Sequence, residues 1–267
     1  MSVDSAWVMS THEFRLGLAE VGHTRYPASF VWGVKTAAAD DDAFRLIESR
    51  VREEFRAALT PAKKAALVAL AKPIYQIDIS GCDVSKDIKD PSHYVRVHAY
   101  WAGDDDAFIA QQLPGPEVGA GGDVRVTRTD VASWTRGVAA LIPGLAGPGR
   151  LPTDSAVEFD QESLGDAKLA VVAATAPKST AAAAFRHMMP ALCGQINLNV
   201  HAVDGTDRRW QMELRWHDIP DDGRYLLVVD EVGVAMGVSA TTLAKTMNRV
   251  FNTLKRRRDA AAAGSQG

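Results

Sequence analysis

Apolar residues recur along the chain with two periods, one of strands and one of helices. Strict alternation marks strands over 74–80 and 93–101. Tyr75, Ile77 and Ile79 oppose Gln76, Asp78 and Ser80, and Val95, Val97, Ala99 and Trp101 oppose Arg96 and His98. Each such strand has one covered face and one wetter face, as in an antiparallel sheet. Further strands are expected over 5–9, 27–34, 107–113, 123–128, 194–203, 208–216 and 224–229, with another apolar run at 232–238. Helical spacing of Phe14, Leu18 and Val21 predicts a helix that Thr11 caps and Gly22 ends. Phe44, Ile47, Val51 and Phe55 line one face of a helix over 40–59, whose N-terminal aspartates suit the helix dipole. Thr60 and Pro61 start another helix, and more are expected over 129–142, near 160–174, over 178–189 and over 239–258.

The Pro- and Gly-rich stretch 143–155 divides this series. On each side, helices precede a set of strands, and a last helix is entered from a strand through Thr or Ser ("RVTRTDVASW", "MGVSATTLAK"). The pattern predicts an α+β fold with a largely antiparallel sheet. Two similar halves, 1–145 and 146–258, share that sheet, and 259–267 forms a disordered tail.

The 267 residues are long enough for a sizeable core. At 46% hydrophobic and 24% charged, the chain has the make-up of a soluble globular protein. A net charge of −3 argues against a surface built for nucleic acid or anionic membrane. No apolar run approaches the roughly 20 residues of a membrane helix, and no signal peptide is visible. Cys82 and Cys193, in no CxxC spacing, are expected to be free thiols in a reducing cytoplasm.

Candidate chemistry is sparse. "WHDIPDDGRYLLVV" (216–229) gathers His217, Asp218, Asp221, Asp222 and Arg224. Adjacent strand residues point to opposite faces, so His217 and Asp218 do not converge. Pro220, the aspartates and Gly223 suit a hairpin turn. "GAGG" (119–122) lacks the Lys-Ser/Thr of a phosphate loop, and no G-x-S-x-G or H-E-x-x-H occurs. The residues imply no metal and no cofactor. A hydrolase or small-molecule enzyme using His217 or His187 with a nearby Asp stays open as an alternative, as does a nucleic-acid binder acting through Lys255–Arg258.

Two features point to protein recognition instead. In "QINLNVH" (195–201), Gln195, Asn197, Asn199 and His201 make an uncharged, hydrogen-bonding strand face, and Asn is disfavoured in strands. "SGCDVSKDIKDPS" (80–92) joins two strands by a loop far longer than the usual two to five residues of a hairpin.

Three stretches carry a resemblance. "EFRLGLAEVGHTRYPASFVW" resembles the opening of the EspG family of type VII (ESX) secretion chaperones. "VAALIPGLAGPGRLPTDS" is similar to that family's junction between halves. Trp216, Asp218, Gly223, Arg224 and Tyr225 match its C-terminal hairpin. The resemblance implies a central sheet flanked by helical bundles, with pseudo-two-fold halves and no enzymatic activity. It further implies a cytoplasmic chaperone that binds PE–PPE heterodimers at the apolar PPE tip, with neither nucleic acid nor membrane as partner. Self-association of the free protein is compatible with this. The family's contact regions fall here on Asp83, Ser85, Lys86 and Asp87 in the loop, on Gln195, Asn197 and Asn199, and on Thr242, Lys245 and Met247 in the last helix.

Overall fold

The computed structural model describes residues 6–23, 25–32, 41–103, 105–144, 147–150, 189–229 and 234–264. The first part of the chain contributes β1 (Ala6–Met9), α1 (Thr11–Glu20), α2 (Asp41–Ala58), α3 (Pro61–Ala71), β2 (Tyr75–Asp83), β3 (Tyr94–Trp101), β4 (Asp106–Gln112), β5 (Val124–Asp130) and α4 (Trp134–Ala140). The second contributes β6 (Leu192–His201), β7 (Arg209–Ile219), β8 (Gly223–Val229), β9 (Val234–Gly237) and α5 (Ala240–Gly264). The fold is α+β, and the nine strands of the described residues form one antiparallel sheet in the order β1-β5-β4-β3-β2-β6-β7-β8-β9.

The order repeats outward from the centre. β2-β3-β4-β5 runs one way and β6-β7-β8-β9 the other, and β2 and β6 join antiparallel over nine pairs, from Tyr75↔Val200 to Asp83↔Leu192. Each series ends in a helix, and these two helices pack on the same sheet face, with Trp134 of α4 stacked on Phe251 of α5 at 5.5 Å between ring centroids. They cover Ile77, Ile79, Val97, Ile109, Ile196, Leu198, Leu214 and Trp216, the alternate apolar residues of five strands. The opposite face is buried at β1, β5, β4 and β3, where Met9, Tyr100, Phe108, Val124 and Val126 meet Phe14 and Leu18 of α1, Phe55 of α2 and Leu67 and Leu70 of α3. Among the described residues, each edge strand runs four residues, β1 over Ala6–Met9 and β9 over Val234–Gly237.

Several expectations need correction. Residues 27–34 do not form a strand over their described part, 27–32. There the chain turns, Phe30 plugs the core, and the Gln112 carboxamide pairs with both the N–H and the C=O of Val31 at 2.8 Å each. The cap of α1 is Ser10, which forms a reciprocal capping box with Glu13. Thr11 instead donates its hydroxyl to Gly121 and Gly122 carbonyls. α4 starts at Trp134 because Thr129 and Asp130 still pair with Ala107 and Asp106 in the sheet. The expected disordered tail is helical through Gly264, since Asp259 and the alanines after it continue α5 with good helix formers. The helices expected near 160–174 and over most of 178–189 lie outside the described residues.

Candidate functional site

The hairpin at 216–224 is a structural knot. Trp216 is fully buried and lies against the facing glycines Gly81 and Gly194, where a β-carbon would come 2.5 Å and 2.2 Å from its ring. Asp218 receives two hydrogen bonds from Arg224, Nε to Oδ1 and Nη2 to Oδ2, each 2.7 Å. Arg224 also donates to the Ile142 and Pro143 carbonyls. Its backbone brackets the junction, donating to Gly147 O and accepting from Gly149 N. Tyr225 donates to Asp222 at 2.7 Å, and Gly149 passes so close that a β-carbon there would strike the Tyr225 ring at 2.1 Å. Asp221 takes the left-handed turn conformation at φ 60°. The junction and hairpin stretches singled out in the sequence therefore dock on each other.

His217 points to the other sheet face, in the row with Cys193 and Tyr225. Burial, with Arg215 nearby, lowers its pKa to about 4, so its ring is neutral at pH 7. Asp218 is held by Arg224 on the opposite face, and the two do not form an acid–base pair. His187 lies outside the described residues.

A buried polar network that the sequence reading missed occupies the middle of the sheet. His98 Nδ1 lies 2.7 Å from Asp78 Oδ1, Ser29 donates to the same oxygen at 3.3 Å, and Gln76 donates to Oδ2. His201 reaches Gln76 at 3.0 Å. Burial pushes the Asp78 carboxyl up, but His98, Gln76 and Ser29 outweigh it and hold it below its ordinary range. Serine and histidine both bind the aspartate here. A nucleophilic triad would instead have the histidine between the serine and the aspartate. Among the described residues, no group of three or more His, Cys, Asp or Glu side chains is placed to hold a metal ion.

The recognition residues divide into three places. Asp83, Ser85, Lys86 and Asp87 lie at the end of β2 in a loop stitched by its own side chains. Asp83 accepts from the Ser85 N–H and hydroxyl, and Lys86 approaches it at 3.6 Å. Asp87 accepts from Lys89 N, Asp90 from Ser92 N, and Tyr94 donates to Ile88 O. The Ser85 hydrogen bonds hold the Asp83 carboxyl below its ordinary range. Both Val84 N and Ser85 N donate to Ala191 O, tying the loop to the entry of β6. Val84 (45% exposed) and Ile88 (58%) in this loop are exposed, as is Met189 (80%), two residues before Ala191.

Gln195, Asn197 and Asn199 leave this corner along β6, on the face bearing Ser80, Asp78 and Gln76 of β2 and Arg215, Glu213 and Gln211 of β7. Gln195 is exposed and Asn197 half-buried, but Asn199 is 3% exposed, with no hydrogen-bond partner for Oδ1 among the described residues. As a surface contact Asn199 is corrected: β6 is a central strand, and its neighbours enclose this side chain. α5 packs on the other face. There Lys245 is exposed, Thr242 is half-buried beside the Ser239 hydroxyl that caps the helix, and Met247 is fully buried with Leu243, Phe251 and Leu254. Met247 is thus a core residue. Its i−4, i+4 and i+7 neighbours already mark the apolar stripe. The three groups do not converge into one site.

No protein-family model matches the chain, and no curated protein does. No helix among the described residues is long and apolar enough to cross a membrane.

Proposed function

We propose that the chain is a cytoplasmic chaperone of type VII secretion. It binds PE–PPE heterodimers at the apolar tip of the PPE partner, keeps them soluble and directs them to their secretion system. The observation that carries the reading is the corner formed by the 83–90 loop and the entry to β6. Val84 and Ile88 are exposed there, interspersed in sequence with Lys86, Asp87 and Lys89, on a loop already fixed by its own hydrogen bonds, and Met189 is exposed two residues before Ala191, to which the loop is bonded. An exposed apolar patch with a polar rim is the usual form of a protein-binding surface. Prior ordering of the loop lowers the entropy lost on association. The loop charges disfavour partners of the wrong pattern. The junction and hairpin stretches that carry the resemblance dock on each other through Arg224.

Co-expression with the PE–PPE pairs of the host tests the proposal. The expected result is a one-to-one complex of the chain with one such heterodimer. Failure to form a complex with any of them would sink it.

A further inference from the structure

We infer that Cys82 and Cys193 form a reversible disulfide within one chain, clasping the two halves of the sheet when the protein meets a low-molecular-weight disulfide. The two cysteines are far apart in sequence yet face each other directly across β2 and β6. They lie on the same sheet face, both are free and half-buried, and they are the chain's only cysteines.

The ladder fixes how close they come. Val84 N donates to Ala191 O at one end of this strand pair, and His201 N donates to Ile74 O at the other. Hydrogen-bonded pairs recur at every second residue, so Cys82 and Cys193 form one of them. Such a pair has Cα atoms about 5.5 Å apart, inside the range of about 4.4–6.8 Å that disulfides span. Facing β-carbons in a sheet stand at about 4.5–5.5 Å, at the wider end in a hydrogen-bonded pair, whereas a disulfide holds them at about 3.5–4.5 Å. The strands must therefore close by about 1–2 Å. The next pair along is Gly81 opposite Gly194, the two residues with the greatest backbone freedom, and they absorb this adjustment. The remaining strain makes the bond easy to reduce.

The exchange balances without a metal. The thiolate of one cysteine attacks a sulfur of oxidised glutathione, forms a mixed disulfide and expels one glutathione thiolate. The second cysteine's thiolate attacks the protein sulfur of that mixed disulfide and expels the other. Two protein thiols lose two electrons and two protons, and one oxidised glutathione becomes two reduced ones. Burial raises both thiols above their ordinary pKa, so the reaction is slow at neutral pH and quickens as pH rises.

Full-length protein incubated with oxidised glutathione at mildly alkaline pH, then alkylated and weighed intact, tests the inference. The expected product is a monomer that takes up no alkylating groups, carries no glutathione, and yields a peptide joining Cys82 to Cys193. Reduced glutathione restores both thiols. Cys82→Ser and Cys193→Ser each stop at a glutathione adduct on the remaining cysteine. Two alkylatable thiols in the wild type, persistent glutathione adducts on it, or disulfide-linked dimers alone would overturn the inference. The readout needs no secretion partner, so its failure is distinct from failure of the proposed function.

Discussion

Replacing Asp218 with alanine leaves the Arg224 guanidinium buried without a counter-charge. The two side chains are 2% and 4% exposed, so water cannot take over the lost interaction. Breaking such a pair from one side costs about 3–5 kcal/mol. At roughly 2–4 °C per kcal/mol for a chain of this size, Tm falls by roughly 6–20 °C. Removing both charges behaves differently. In the double variant Asp218→Ala/Arg224→Met no charge remains buried. The Ile142 and Pro143 carbonyls still lose their donor, at about 1–3 kcal/mol. The double variant therefore loses less than the sum of the two single variants. Urea unfolding followed by circular dichroism measures both differences. A loss below about 1 kcal/mol for Asp218→Ala, or additive losses in the double variant, would refute the view that an uncompensated buried charge is the dominant cost.

Further expectations follow from other parts of the molecule. Gly81→Ala pushes a β-carbon to 2.5 Å from the Trp216 ring and 2.7 Å from Cys193 O, and it costs about 1–3 kcal/mol in the same unfolding assay, where an unchanged midpoint would count against the close approach. His217 has a folded pKa of about 4 against 6.5 unfolded, so the unfolded chain binds the extra proton between these values and stability falls as pH drops through that window. The contribution is about 3 kcal/mol when complete, and His217→Gln removes this part of the pH slope; an identical slope in the variant excludes His217 as its source. Charge reversal at exposed Lys86 and Asp87 changes which PE–PPE pair is captured in competition pull-downs and leaves Tm within a degree or two, about the effect of small surface changes. An unchanged preference would remove the loop from recognition.

Much of the sheet was legible because its strands bury alternate residues. Tyr75–Ile77–Ile79 and Val95–Val97–Ala99 announce β2 and β3, and the Thr60–Pro61 cap announces α3. Where local pattern misled, a distant residue had intervened. The 27–34 stretch has a strand's composition, but Gln112 supplies side-chain hydrogen bonds where a neighbouring strand would supply backbone ones. The Asp78–His98–Ser29 network was hidden because Asp78 and His98 meet only once β2 and β3 are in register, and nothing local fixes that register. The Cys82–Cys193 pairing was hidden for the same reason, and it lies between strands of different halves. Among the recognition residues, Lys86 and Asp87 were readable as loop surface. Asn199 was not readable as buried, because an alternating polar residue looks the same on a central strand and on an edge. Met247 could have been placed correctly, since Leu243, Val250, Phe251 and Leu254 share its helical face.

The nine-pair seam between β2 and β6 joins the halves by backbone hydrogen bonding. Either half expressed alone presents a long central strand as an open edge, a template for aggregation. Two parts of the chain held together by this closed ladder travel together until denatured. The covalent crossing governs how quickly the halves find each other, and the seam governs whether they stay.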